Sequence, residues 1–222
     1  MERAMKFRHS ILALIPLFAV VSLEARQEAS LGFAVRHKHR WGSCEGALRV
    51  SKDGVGYETA HQKHARTWSF RDIRHADFRS KTRLALRTYG APETWHFHLR
   101  EGDWSPDAYR LLARRVERGV TSRILYPATT FLYELPVRHR HLRGGCEGTL
   151  RIGLEETIYD TQEPKHRRIW RSRDLRSFGS AGPHDLRLTT EEETFTFDLK
   201  QPLQKEVYDH LWKTTHEKGT TP

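Results

Sequence analysis

The stretches that decide the fold are Val35–Arg49, VRHKHRWGSCEGALR, and Val137–Arg151, VRHRHLRGGCEGTLR. A shift of 102 residues superposes the two. The match continues without a gap through Trp68 and Trp170, and it resumes after a two-residue deletion in one later loop. Self-similarity over such a length indicates that the chain contains two copies of one module.

The N-terminus has the pattern of a Sec-type signal peptide. Arg3, Lys6 and Arg8 precede an apolar run at 11–23, and small residues follow where a signal peptidase could cut. The apolar run is shorter than the roughly 20 residues needed to span a bilayer. We therefore predict an exported protein, periplasmic or extracellular after cleavage.

The repeat sets the domain boundaries. We predict a signal peptide at 1–25, a first module at 30–118, a linker at 119–132, a second module at 133–216 and a disordered tail at 217–222. The linker contains Ile124–Pro127 and is too apolar for a free tether, so we expect it to pack along a domain.

Each module alternates polar and apolar residues with the period of a β-strand, and each ends in one amphipathic segment. Ser105-Pro106 is a good start for a helix. We expect helices near Pro106–Arg118 and Leu203–Thr215, Trp68 and Trp170 in the cores, and two free cysteines. Short antiparallel strands closed by one helix predict a small barrel or sandwich.

The strand pattern resembles the GRAM and bacterial pleckstrin-homology-like (PH-like) superfamily. The resemblance rests on a Gly-x-Leu strand, a Gly-x-x-Tyr strand, a Trp strand leading into Asp72, the paired strands Leu84-x-Leu86 and Trp95-x-Phe97-x-Leu99, and the final helix. It implies a mainly β (α+β) chain of two tandem PH-like barrels or sandwiches, each closed by a C-terminal helix.

A histidine and cysteine cluster occurs in both copies. Placing His39 opposite Cys44 across a four-residue loop would bring the side chains to one face of the hairpin. One interpretation of the cluster is that each Cys is a small buried residue that packs in the core. The alternative is that the cluster binds zinc or copper. The alternative metal ligands are His37, His39, Cys44, His64, His139, His141, Cys146 and His166.

Positive charge is concentrated in the first copy. Residues 33–118 hold 18 Lys or Arg against 10 Asp or Glu, whereas the chain from 134 onward holds 15 of each. A basic face suits a protein partner or an anionic envelope surface, including peripheral membrane contact, and export argues against nucleic acid. The candidate binding residues are Arg36, Lys38, Arg40, Arg49, Arg138, Arg140, Arg143 and Arg151. In eukaryotic PH domains, which the modules resemble, this region commonly holds lipid phosphates.

The sequence contains no Gly-rich phosphate loop, nucleophile elbow or paired acidic signature. We therefore predict a non-enzymatic binding or scaffold protein of the bacterial cell envelope, without a cofactor. The alternative function is envelope metal binding through the duplicated cluster.

Overall fold

The computed structural model of the chain describes residues 30–39, 42–126 and 130–216. The predicted signal peptide and C-terminal tail lie outside the described residues. The first half contains β1 (Leu31–His39), β2 (Gly42–Val50), β3 (Val55–Thr59), β4 (Arg66–Trp68), β5 (Ile73–Ser80), β6 (Arg83–Thr88), β7 (Thr94–Leu99), α1 (Pro106–Arg115) and β8 (Val120–Ser122). The second half contains β9 (Phe131–Arg140), β10 (Gly145–Gly153), β11 (Glu156–Thr161), β12 (Arg168–Arg171), β13 (Ser177–Gly179), β14 (Asp185–Thr189), β15 (Thr194–Leu199) and α2 (Lys205–His216).

The duplication is visible in the strand order. The first half runs β5-β6-β7-β1-β2-β3-β4 and the second runs β13-β14-β15-β9-β10-β11-β12, which is the same order. The helices α1 and α2 begin within two residues of the predicted starts, and each follows the last strand of its repeat.

The prediction of two separate closed barrels or sandwiches is wrong, because the described strands form one open 15-stranded sheet. The connection is β8, which comes from the segment that we predicted as linker. It pairs in parallel with β5, where Ala76 meets Val120, and antiparallel with β12, where Ile169 meets Ser122. One short strand thus satisfies the backbone groups along an edge of each half, which would otherwise be left unpaired.

The two hydrophobic cores are not independent. The cluster of the first half includes Ile158 and Ile169, which belong to β11 and β12 of the second half. Trp68 is 7% exposed and Trp170 is 1% exposed, so the prediction that both are core residues is confirmed. Burial across the junction means that separation of the halves would expose apolar surface.

A buried ion pair fastens the second half to the end of α1. Arg171 Nη2 donates to Asp174 Oδ1 at 2.6 Å, and its Nη1 donates to the carbonyls of Ala113 and Val116 at 2.7 and 2.6 Å. Asp174 Oδ2 accepts from the backbone N–H of Val120 in β8 at 3.1 Å. Carbonyls at the end of a helix lack intrahelical partners, so the guanidinium satisfies groups that the helix leaves open.

The first half has no such pair at the matching position. Ser69 stands where the second half has Arg171, and its backbone N–H and hydroxyl both donate to Asp72 Oδ2, at 2.9 and 2.8 Å. The repeated aspartate therefore closes a local turn in one copy and joins the two copies in the other.

Among the described residues, no helix has the length and apolar character needed to cross a membrane.

Candidate metal centre

The β1–β2 hairpin and its repeat fix the first two members of each His/Cys cluster. His37 lies opposite Cys44, and His139 lies opposite Cys146. The predicted register, with His39 opposite Cys44, is wrong by two residues. A shift of two preserves the face on which side chains point, so the histidines still lie on the same side as the cysteine.

A further histidine of the cluster lies in the turn of the second hairpin. The ladder of β9 and β10 ends at Arg140 and Gly145, so His141 lies in the turn. Gly144 adopts φ of +88°, a left-handed conformation that favours glycine. His166, from the segment between β11 and β12, completes the group.

Four side chains of the second half converge: His139, His141, Cys146 and His166 each offer one ligand atom, and these atoms all lie within 4.8 Å of one another. Cys146 Sγ lies 3.2 Å from His141 Nε2, 3.3 Å from His166 Nδ1 and 3.9 Å from His139 Nδ1. His141 Nε2 lies 3.1 Å from His139 Nδ1.

These separations are close to those of a tetrahedral zinc site. With zinc–nitrogen bonds of about 2.0–2.1 Å, a zinc–sulfur bond of about 2.3 Å and tetrahedral angles, two nitrogens lie about 3.3 Å apart and a nitrogen and a sulfur about 3.6 Å apart. Each observed distance differs from these values by a few tenths of an ångström, which side-chain rotation can supply.

A second layer of contacts holds the ligands in place. Tyr159 donates its hydroxyl to the Cys146 carbonyl at 2.7 Å, and the same oxygen lies 3.2 Å from Cys146 Sγ. The ring has room because position 148 is glycine: a Cβ there would lie 2.6 Å from the Tyr159 ring. His139 stacks on Phe195 with centroids 4.1 Å apart, which restricts the orientation of its imidazole.

Electrostatics keep these histidines neutral. Burial, followed by repulsion from His141, His166 and Arg168, lowers the pKa of His139 from 6.5 to about 4. The pKa of His166 is also lowered, first by burial and then by His141. Because only the neutral imidazole can bind a metal through its lone pair, the lowered pKa values keep His139 and His166 in their ligand form at neutral pH.

The first half holds a looser version of the cluster. The converging atoms are those of His39, Cys44 and His64, while His37 Nδ1 lies 3.8 Å from Cys44 Sγ. The centroids of His39 and His64 are 4.7 Å apart, against 3.9 Å for the matching pair His141 and His166. Burial, followed by repulsion from neighbouring histidines, lowers the pKa of His37 to about 4 as well.

The basic residues expected to bind an anionic partner are mostly engaged in ion pairs on the surface. The pairs are Arg36 with Glu45, Arg49 with Glu58, Arg138 with Glu147 and Asp198, Arg140 with Asp185 and Asp198, and Arg151 with Glu134 and Asp160. Arg143 is exposed in the β9–β10 turn, Arg40 lies outside the described residues, and Lys38 lines a cavity described below.

Sequence reasoning missed the residues that support the cluster. Tyr57 and Tyr159 contact the two sulfur atoms, and Trp95 and Phe195 stack on His37 and His139. The signal was present, because all four align in the repeat. Both cysteines are buried and free, one in each core.

Comparison with known proteins adds little to this geometry. No family model matches the sequence, and no curated protein matches it. Among solved structures, the chain is similar to one described as the structure of the Spt16D Pob3N heterodimer, with 12% identity and a TM-score of 0.29 over 73% of this chain and 83% of that chain. A likeness of that size supports no conclusion about fold or function.

Proposed function

We propose that this chain is an exported transition-metal-binding protein whose principal site is the three-histidine, one-cysteine cluster of the second half. The observation that carries the proposal is the convergence of four ligand atoms, from His139, His141, Cys146 and His166, within 4.8 Å of one another. Export is inferred from the N-terminal sequence pattern.

The donor set defines the metal class. Imidazole suits zinc and copper, and thiolate adds preference for soft or borderline ions over magnesium and calcium. Four protein ligands would close a tetrahedral site, whereas a catalytic zinc keeps one position for water. The site is therefore suited to holding an ion, and we propose a binding protein rather than an enzyme.

The alternative role, contact with an anionic membrane through the first hairpin, has less support. Arg36 and Arg49 are each paired with a glutamate at 3.2 and 3.0 Å. Exposed pairs of this kind are weak, yet they lower the charge available to attract a surface.

The test is metal analysis of the chain purified without a histidine tag. We expect one equivalent of zinc or copper that survives a mild chelator. Cys146→Ser should lose that equivalent, and the matched variant Cys44→Ser should keep it. Loading with Co²⁺ gives a second readout, because thiolate coordination produces a near-ultraviolet charge-transfer band that Cys146→Ser should abolish.

Two results would overturn the proposal. One is a folded chain that retains no zinc or copper after dialysis against either ion. The other is equal metal content in Cys146→Ser and the unaltered chain, which would place the metal elsewhere.

A further inference from the structure

A cationic cavity lies on the face of the first half opposite to the His/Cys cluster. It has a volume of about 260 Å³ and is lined by Lys38, Arg79, Arg83, Leu84, His96, Phe97 and His98. The polar members come from four neighbouring strands, β5, β6, β7 and β1. In the ladders, Arg83 lies opposite His98 and Lys38 lies opposite His96, so each of these two cations lies beside a histidine of β7.

The charge of this cavity is hardly neutralised by the protein. Arg79 pairs with Asp77 at 3.0 Å. Among the residues that the structure describes, Lys38 and Arg83 have no carboxylate within 4.0 Å. Burial is the first cause that lowers the pKa of His96 and of His98, and repulsion from Arg79 and Arg83, respectively, is the second. The cations thus disfavour further positive charge nearby.

The second half shows what the same face looks like when it is neutral. Asp185 occupies the position of Arg83, and Asp198 occupies that of His98. Arg140, at the position of Lys38, pairs with both carboxylates; its Nε lies 2.9 Å from Asp198 Oδ1. One copy therefore carries two carboxylates at the places where the other carries an arginine and a histidine.

We propose that this cavity binds a tetrahedral oxyanion, phosphate or sulfate, either free or as a phosphomonoester headgroup. The bound anion takes the place of the two carboxylates of the second half. Arg83 offers a planar set of donors and Lys38 a compact charge, a combination suited to an anion with several acceptor oxygens. Because the side chains lie on four neighbouring strands of one sheet, the site is built on a rigid frame.

Calorimetric titration of the full chain with inorganic phosphate and with sulfate, at low salt and pH 6.5, tests the proposal, with chloride at equal ionic strength as the reference. Titration of phosphatidylcholine vesicles, with and without phosphatidic acid, distinguishes a headgroup from the free anion. If the ligand is the free anion, we expect saturable binding of inorganic phosphate. If it is a lipid headgroup, we expect binding only to the vesicles that contain phosphatidic acid. Binding should weaken as salt is added.

The decisive variant is Arg83→Asp, which introduces the residue found in the second half and should therefore fold. It should weaken binding at least tenfold, while Arg71→Asp, an equal change of charge at an exposed side chain outside the cavity, should leave binding unchanged. Cys146→Ser should also bind normally, which separates this site from the metal centre.

Three results would overturn the proposal. The first is a heat signal for phosphate no larger than that for chloride, together with no preference for vesicles that contain phosphatidic acid. The second is an unchanged affinity for the anion in Arg83→Asp. The third is a loss of affinity in Arg71→Asp as large as that in Arg83→Asp. As a second readout, the side-chain resonances of His96 and His98 should shift on addition of the anion, and resonances that stay fixed would contradict the assignment.

Discussion

The two halves of the chain share one strand order but differ at the end of their first hairpin. In the first half, the ladder continues to His39 and Gly42, and only residues 40 and 41 lie between the strands. In the second, the ladder stops one pair earlier, at Arg140 and Gly145. His141 still donates its backbone N–H to the Gly144 carbonyl at 3.1 Å, and its Nε2 lies 3.2 Å from Cys146 Sγ.

The comparison teaches that the same residue types at matching positions can form a close ligand group in one copy and a looser one in the other. In the second half the ligand atoms of three histidines and the cysteine all lie within 4.8 Å of one another. In the first half only those of His39, Cys44 and His64 do, although His37 Nδ1 lies 3.8 Å from Cys44 Sγ.

The sheet faces opposite to the clusters also differ. In the second half Arg140 is paired with Asp185 and Asp198, whereas in the first half Lys38 and Arg83 line a cationic cavity. After duplication the copies have come to differ in charge and in ligand geometry while the sheet order stayed the same.

The largest expected effect concerns the two core tryptophans. Trp68→Ala and Trp170→Ala should each lower the free energy of unfolding by about 3–5 kcal/mol, because each leaves a cavity. Trp170→Ala should cost more, since Trp170 Nε1 also donates to Glu193 Oε1 at 3.0 Å. Urea unfolding measures both, and a loss below about 1 kcal/mol in either variant would show that its ring does not support the core.

The junction between the halves should respond to removal of its ion pair. Arg171→Ala leaves Asp174 buried without its partner and should cost about 3–5 kcal/mol. The matched change in the first half, Ser69→Ala, removes one capping hydroxyl and should cost about 1 kcal/mol. Equal losses in the two denaturation curves would contradict the view that Arg171 fastens the halves together.

The supporting tyrosine should tune the metal site. Tyr159→Phe removes the hydroxyl near Cys146 Sγ and should weaken zinc binding about tenfold, as loss of an outer contact does in other metal sites. Tyr57→Phe, the same change in the first half, should not alter the affinity for the first equivalent. Competition with a zinc-sensitive dye measures both, and a larger effect from Tyr57→Phe would reverse the assignment of the tighter site.

The smallest expected effect is the contribution of His75, in the first half, to the dependence of stability on pH. Burial lowers the pKa of His75, whose Nε2 lies 3.2 Å from Thr121 Oγ1 at the β5–β8 junction. The unfolded chain binds a proton near pH 6.5 and the folded chain resists it, so stability is complete above that pH and falls as pH drops below it.

His75→Gln should therefore flatten the fall in unfolding free energy below pH 6.5, measured with chelator present so that metal does not contribute. The exposed His61→Gln is the control. The second half has Ser177 at the matching position and lacks this titration. An unchanged pH profile in His75→Gln would exclude a contribution from His75.

Much of the fold follows from local patterns. The paired strands around Leu84-x-Leu86 and Trp95-x-Phe97-x-Leu99 and the starts of both helices were predictable because alternation and capping act over short distances. One strand that sequence reasoning missed is β5. Its residues do not alternate cleanly, since four consecutive residues, 75–78, are buried and its pairing with β6 shifts register twice.

The joining of the halves could not be predicted from either module alone. It depends on β8, a strand of three residues, and on Arg171 in place of Ser69, whose partners are distant in sequence. The same holds for the metal cluster. The residue types were visible in the sequence, but their convergence depends on the hairpin turn that carries His141 and on the position of His166 between β11 and β12.

The central claim is that the second half binds one metal ion through three imidazoles and one thiolate. X-ray absorption at the zinc edge, on the full chain loaded with one equivalent, tests it most directly. We predict a four-coordinate shell with three nitrogens at about 2.0–2.1 Å and one sulfur at about 2.3 Å, with the sulfur contribution lost in Cys146→Ser and kept in Cys44→Ser. A shell of nitrogen and oxygen alone, or a sulfur contribution that persists in Cys146→Ser, would contradict the account.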